Sequence, residues 1–348
     1  MHLPDRHSRA FSPVQMLENG LNMHSAVSIG FRQHARPLLV YILGWGRSGS
    51  SVMANILGSM PDAASLGEMR YLWDRGVMED GICGCEAAFS ECAFWPDLSF
   101  GAQPLKAMDS ERARALTRSI GSGARRRQFP GLHNERSRKT YFDRSAGDLD
   151  LLMGLYAEAF ERSQSRVLID ASKSPFYALN LLYEQRSFDV VFLHLVRDPR
   201  AVLHSWKKRK PREDVSEGQL FPRYSSTRSL LQWAVVNAEC ERFAHLAPDR
   251  YYRVRFEDFA ENWQRALATD AAPLFEQVPG GRGGENSRAA LVHAQHSISG
   301  NPARFILGEV TLDPNTSWRD EISGTDRRLA RMICGPAARR YGYVMGAV

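Results

Sequence analysis

The chain has 348 residues, 43% hydrophobic and 24% charged, an ordinary globular composition long enough to bury one large α/β core. Its longest apolar runs, about seven residues, exclude a membrane span. A formal net charge of +6 fits an anionic ligand or partner without choosing among nucleotide, nucleic acid and membrane surface.

Residues 1–36 read as a weakly structured N-terminal extension, with a short helix expected around Val14 to Leu21. Asp5, Arg6, His7 and Arg9 interrupt it and no continuous apolar core follows, so it is not read as a secretory signal and a cytoplasmic protein is expected. Leu38 to Leu43 reads as a buried strand, followed by the turn Gly44-Trp-Gly46-Arg47-Ser48-Gly49-Ser50-Ser51 and a helix from about Ser51 to Leu57. Strand, glycine turn and helix start form the geometry that points backbone N–H groups at an anion. The spacing Gly44-x-x-x-x-Gly49-Ser50-Ser51 is that of a nucleotide-triphosphate P-loop with Ser50 in place of the lysine. That loss argues against triphosphate hydrolysis and keeps the anion cradle, to which Arg47, Ser50 and Ser51 can donate.

Ser65 to Arg70 reads as a second short strand ending at Glu68. Cys83, Cys85 and Cys92 cluster, with Cys240 and Cys334 alone, and an odd count argues against a disulfide framework. A Cys-x-Cys pair without a close fourth ligand is read as a packed or redox-labile loop, and no metal site is expected. Residues 97–145 form an insertion of helical pieces and mobile loops. Between Gly101 and Ala146 it holds eleven Lys/Arg against four Asp/Glu. An amphipathic helix is expected from Leu149 to Ser163, a strand from Val167 to Ala171, and a helix from Pro175 to Gln185. Val190 to Val196 is the next buried strand, Arg200 to Lys208 its helix, 207–228 a second loop insertion, Ser229 to Leu246 a long helix and Tyr252 to Phe256 a late strand. Strands alternating with helices predict a P-loop-type three-layer α/β sandwich with a central parallel sheet, its ligands at the strands' C-terminal ends. Residues 37–348 are taken as one domain. The polar residues that follow the strands are then the chemical ones: Arg47, Glu68, Lys173 and Arg197. His194, between Leu193 and Leu195, reads as a core histidine.

Together these residues resemble the sulfotransferases that use 3′-phosphoadenosine 5′-phosphosulfate (PAPS), most closely a bacterial branch similar to the tyrosylprotein sulfotransferases. Gly46-Arg-Ser-Gly-Ser-Ser51 is similar to that family's 5′-phosphosulfate loop. Leu195-Val-Arg197-Asp-Pro-Arg-Ala-Val-Leu-His-Ser205-Trp is similar to its 3′-phosphate block, and Ile169-Asp-Ala-Ser-Lys173-Ser-Pro lies between the two. His296-Ser-Ile-Ser299-Gly-Asn-Pro-Ala-Arg304 is similar to the segment that closes over the nucleotide, and the Cys83 to Trp95 stretch also recurs there.

The resemblance implies a sulfotransferase that moves the sulfuryl group of PAPS to an acceptor hydroxyl in line, leaving 3′,5′-ADP and requiring no metal. Gly46, Arg47, Ser48, Gly49, Ser50 and Ser51 would hold the phosphosulfate. Arg197 and Ser205 would grip the 3′-phosphate, with Ser299 and Arg304 as further candidates, and Arg47 and Lys173 would neutralise the leaving group. Glu68, 21 residues after Arg47 as in the tyrosylprotein branch, would be the general base, with His296 next in line. Phe256-Glu-Asp departs from the Tyr-Glu-Asp of relatives and puts a hydroxyl contact in doubt. The acceptor is a small molecule, carbohydrate, lipid or peptide hydroxyl. Two other readings stand beside this one. A degenerate P-loop kinase or NTP-binding protein would use Lys173 and a magnesium carboxylate such as Asp170. A nucleic-acid binder would use Arg125-Arg-Arg127 and Lys207-Lys-Arg-Lys210, but those runs lack interleaved aromatics and no nucleic-acid partner is expected.

Overall fold

A computed structural model describes residues 27–183, 187–208, 223–279, 288–314 and 316–346. The helix expected near Val14 and most of the 207–228 loop lie outside the described residues.

Five strands form the central sheet: β1 (Leu38–Gly44), β2 (Ala63–Gly67), β3 (Val167–Lys173), β4 (Asp189–Val196) and β5 (Tyr251–Arg255). Their order is β2-β3-β1-β4-β5 and every pairing is parallel. The expected α/β sandwich is therefore the observed one. Every residue of β1 is buried, and alternate side chains feed opposite layers. Leu39, Tyr41 and Leu43 pack with Leu149, Leu152, Leu155 and Tyr156 of the helix α2 (Glu135–Ser163). Leu38, Val40 and Ile42 pack with Met53, Ile56 and Leu57 of the helix α1 (Ser50–Gly58). A third apolar cluster joins α3 (Pro199–Lys207), α4 (Ser226–Glu241) and α5 (Gly324–Arg340) through Val202, Leu203, Leu230, Trp233 and Cys334.

The chain leaves β1 toward β3 and β2 on one side and later fills β4 and β5 on the other. The C-terminal end of β1 is therefore a topological switch point, where open α/β sheets place their ligands.

Several helices differ from the sequence expectation. α2 begins at Glu135, well before Leu149. Asn134 caps it by accepting from the Ser137 amide at 3.0 Å, and the turns before Leu149 are mostly polar, with Tyr141 buried and Phe142 half-buried. Apolar periodicity therefore starts long after the helix does. The basic insertion holds helical pieces of the kind expected, at Ser110–Ser119 and Arg125–His133. The helix expected over Pro175–Gln185 shortens to Pro175–Ala178 and a 3-10 turn at Leu179–Leu182.

Candidate active site

β1 runs into its loop at Gly44, where φ is +149° and a Cβ would stand 2.6 Å from the Leu195 carbonyl oxygen of β4. Gly49, at φ +95°, would put a Cβ 2.2 Å from the Phe256 ring. Only glycine fits either place. Between them Arg47 adopts φ +69°, a left-handed conformation that a side-chain-bearing residue holds only when its surroundings enforce it. The turn delivers the first residues of α1 to a cavity of about 420 Å³ lined by Gly44 to Arg47 and Gly49 to Val52. The opening N–H groups of a helix have no intrahelical acceptor, so this wall is suited to an anion. Ser51 Oγ accepts from the Asn301 amide at 3.2 Å, tying the loop to the opposite wall. Ser48 is buried and does not line the cavity, and its hydroxyl finds no partner among the described residues.

Glu68 follows β2 directly and Lys173 ends β3. The two strands pair side by side, Gly67 against Asp170. Lys173 Nζ lies 2.6 Å from Glu68 Oε1, with both side chains only 12% and 10% exposed, and also donates to the Ala171 carbonyl at 3.0 Å. Lys173 has φ +65°. Burial pushes the Glu68 pKa up, but the positive charges of Lys173, Arg70 and Arg75 outweigh it and hold the carboxyl below its ordinary value. Burial holds Lys173 below its ordinary value despite the attraction of Glu68. Arg70 does not form the short ion pair with Glu68. Its guanidinium turns to the Tyr71 hydroxyl and its amide donates to Ser172 Oγ at 3.0 Å.

β4 pairs with β1, Leu195 against Gly44, which brings Arg197 beside the loop. Arg197 Nη1 donates to the Arg47 carbonyl at 3.1 Å, and the guanidinium lies 4.4 Å from the centroid of the Phe256 ring. Its Nε is buried without a partner among the described residues. Ser205, on α3, lines the same cavity. Phe256 therefore supports an arginine by its ring face where a tyrosine hydroxyl had been in question.

The rest of the lining comes from residues that the sequence did not single out for this cavity. Arg75 comes from the wide helical turn Leu72–Met78, Arg125 from the basic insertion, and Asn301 and Asp313 from late loops. Trp45, Trp206 and Tyr224 make an aromatic wall, with Trp206 and Tyr224 stacked at 4.4 Å between centroids and Arg47 standing 5.1 Å from the Trp206 ring. The available signals were the basic stretch that contains Arg125 and the closing segment that contains Asn301. Among the described residues six basic side chains line the cavity, Arg47, Arg70, Arg75, Arg125, Lys173 and Arg197, against the carboxylates of Glu68 and Asp313. That balance suits a ligand with several negative charges.

Other expected residues stand apart from this cavity. Arg304, 2% exposed, donates to the Ser297 and Ile82 carbonyls at 2.6 Å each, and Ser299 bonds to Arg75. Neither lines the cavity. His296, the reserve base, is also outside the lining, its Nδ1 3.2 Å from Cys92 Sγ. The kinase alternative loses its carboxylate. Asp170 is fully buried, accepts from Ser172 Oγ at 2.5 Å and Tyr156 OH at 2.7 Å, and is pushed up to about 6 by burial. His194 is a core residue, 0% exposed, with Tyr251 OH and Asn237 Oδ1 at 2.7 and 2.9 Å, and burial lowers its pKa to about 4.

The sequence profile of the sulfotransferase family matches residues 37–269, about two thirds of the chain. The chain belongs to the sulfotransferase family. The matched range holds the Gly46–Ser51 loop, Glu68, Lys173, Arg197 and Ser205 of this sulfotransferase, and leaves His296, Ser299 and Arg304 beyond its end. Among solved structures it is similar to the sulfotransferase domain of the Synechococcus PCC 7002 olefin synthase, at 18% identity and a TM-score of 0.39 over 90% of this chain and 98% of that one. It is also similar to the sulfotransferase domain from the curacin biosynthetic pathway, at 16% identity and a TM-score of 0.42 over 89% and 99%. No curated protein matches the chain significantly. No helix among the described residues is long and apolar enough to cross a membrane.

Proposed function

We propose that this sulfotransferase binds PAPS in the cavity at the end of β1 and transfers its sulfuryl group to an acceptor hydroxyl by in-line displacement. The observation that carries the reading is the buried Glu68–Lys173 pair, 2.6 Å apart, in a cavity walled by the Arg47 loop and Arg197. The loop amides, Arg47, Ser50 and Ser51 bind the phosphosulfate, while Arg197 and Ser205 bind the 3′-phosphate. An arginine fork and a hydroxyl suit a terminal dianion. In the transfer the acceptor oxygen bonds to sulfur and the bond from sulfur to the bridging 5′-phosphate oxygen breaks. The acceptor proton passes to Glu68, and Lys173 meets the charge that grows on the departing oxygen.

The pair also gives a reason for ordered action. While Lys173 rests on Glu68, the carboxylate is a weak base, because a neighbouring cation stabilises its ionised form. A donor oxygen that draws Lys173 away removes the largest of the charges that lower the Glu68 pKa and leaves burial opposed by Arg70 and Arg75 alone, so its basicity increases when the donor is in place. Sulfuryl transfer, like phosphoryl transfer, depends mainly on positioning and charge neutralisation, and the chain's own cations supply both.

Calorimetry tests the donor site. 3′,5′-ADP should bind at least about tenfold more tightly than 5′-AMP, a difference of about 1.4 kcal/mol. Equal affinities, or a preference for ATP–Mg²⁺, would remove PAPS from the reading. Labelled donor offered to carbohydrate, lipid, peptide and small-molecule hydroxyls then identifies the acceptor class.

A further inference from the structure

Away from the cavity, Cys83, Cys85, Cys92 and His296 bring three thiol sulfurs and one imidazole nitrogen within 4.8 Å of one another. Cys92 Sγ lies 3.6 Å from Cys85 Sγ, 3.6 Å from Cys83 Sγ and 3.2 Å from His296 Nδ1. With metal–sulfur bonds of about 2.3 Å and metal–nitrogen bonds of about 2.0–2.1 Å, a tetrahedral zinc site has ligand–ligand edges of about 3.8 Å (S–S) and 3.6 Å (S–N). The observed separations are close to those edges, and a disulfide needs sulfurs about 2.05 Å apart. The fourth ligand that the Cys83–Cys92 stretch lacks comes from more than 200 positions away in the chain. That distance is why the sequence led to the opposite expectation.

The surroundings fit a metal better than an idle thiol pocket. The Cys92 sulfur accepts from the Phe94 amide at 3.4 Å, as a metal-bound thiolate does. The His296 ring stacks on Phe94 at 5.2 Å and 8°, which fixes the direction of Nδ1. Gly84 is required between the first two thiols, because a Cβ there would lie 2.3 Å from Ser297 Oγ and 2.5 Å from the Gln295 carbonyl oxygen. The loop thus closes against the 295–297 segment, and Gly84 N–H donates to the Ser297 carbonyl at 3.0 Å.

We propose that Cys83, Cys85, Cys92 and His296 form a closed tetrahedral site for a structural Zn²⁺. Three thiolates and a neutral imidazole take all four positions, so the ion holds structure and leaves no place for substrate. Binding releases the thiol protons to solvent, with no change of oxidation state. The site joins the 82–92 loop to the segment that reaches the cavity edge. Two residues past His296, Ile298 donates to the Leu66 carbonyl at 2.9 Å and accepts from the Glu68 amide at 2.7 Å. The ion would hold the strand end that carries Glu68, whatever the donor proves to be.

The test uses the full-length protein purified under reducing conditions and measures metal directly. Elemental analysis should find about one zinc per chain, retained through dialysis and released by a mercurial reagent. Replacement by Co²⁺ should give the intense visible bands of tetrahedral cobalt with sulfur-to-metal charge transfer in the near ultraviolet. Cys85→Ser, at the half-buried ligand, should lower that charge-transfer intensity by about a third, since one thiolate of three is lost. Zinc below about a tenth of an equivalent after zinc-supplemented growth, with a featureless cobalt spectrum, overturns the site. So does mass-spectrometric detection of a Cys85–Cys92 or Cys83–Cys92 disulfide in the same preparation. The wild-type cobalt spectrum decides even if the variant fails to fold.

Discussion

The cavity has two kinds of wall. On the sheet side, Arg47, Glu68, Lys173 and Arg197 stand at or within three residues of the ends of β1, β2, β3 and β4. Their positions are set by parallel ladders such as Gly44 against Leu195 and Gly67 against Asp170. On the other side, Arg75 comes from the helical turn after β2, Arg125 and Tyr224 from the two insertions, and Asn301 and Asp313 from the late chain. A ladder holds charged groups to a fraction of an ångström, as charge neutralisation in a transition state requires. Loops are the usual place for specificity. We read the difference as donor and chemistry at the sheet edge and acceptor at the loop wall, a division that rests on the proposed function.

The strongest way to break that division is Glu68→Gln. Turnover should fall about a hundredfold or more, as expected for loss of a general base. Affinity for 3′,5′-ADP should stay the same or increase, because a negative charge leaves an anion site. If Glu68 only ordered the sheet edge, nucleotide affinity would weaken with turnover, and calorimetry beside steady-state kinetics separates the two. The same variant has a signature in stability. The folded-state pKa of Glu68 lies below the ordinary carboxylate value, so its pairing contributes stability above that value. That contribution is lost as pH falls through the folded pKa. The melting-temperature gap between wild type and Glu68→Gln should be widest near neutrality and close below about pH 4. A gap independent of pH would show that the ion pair is not its source.

Arg197→Ala is the next effect in size. Loss of one charge-assisted contact to a terminal phosphate should weaken 3′,5′-ADP about tenfold and leave 5′-AMP nearly unchanged. Arg197 also donates to the Arg47 carbonyl, so equal weakening of both nucleotides would mean that it acts by shaping the loop.

The same division explains what could be read in the sequence. β1 is an unbroken apolar run and β4, after Asp189, one interrupted only by buried His194, so both must lie inside a sheet and the residues after them were bound to share its edge. Arg47, Lys173, Glu68 and Arg197 were legible for that reason. Arg75 and Asp313 carry no local pattern and reach the cavity only through tertiary packing. Arg304 was legible as a charged residue in a closing segment, but its guanidinium is spent on two backbone carbonyls, a use that no spacing announces. The start of α2 was hidden because its first turns bury little. His296 was read for its titration, whereas the fold turns it toward three cysteines.

The smallest expected effect sharpens the loop side. Arg125 is exposed at the cavity rim, its guanidinium 5.0 Å from the Phe176 ring centroid and hydrogen-bonded to Gln232 Oε1 at 3.0 Å. No strand ladder fixes it, and on the proposed reading it steers and orients the acceptor. Arg125→Ala should raise the acceptor KM by about three- to fivefold, about 0.6 to 1 kcal/mol, as for other exposed charges. Donor affinity and kcat at saturating acceptor should stay at wild-type values. Arg125→Lys keeps the charge and loses the planar fork that stacks on Phe176, so recovery of KM in the lysine variant would assign the effect to charge and failure to recover would assign it to stacking. A fall in 3′,5′-ADP affinity in either variant would move Arg125 to the donor side and erase the division between the two walls at this position.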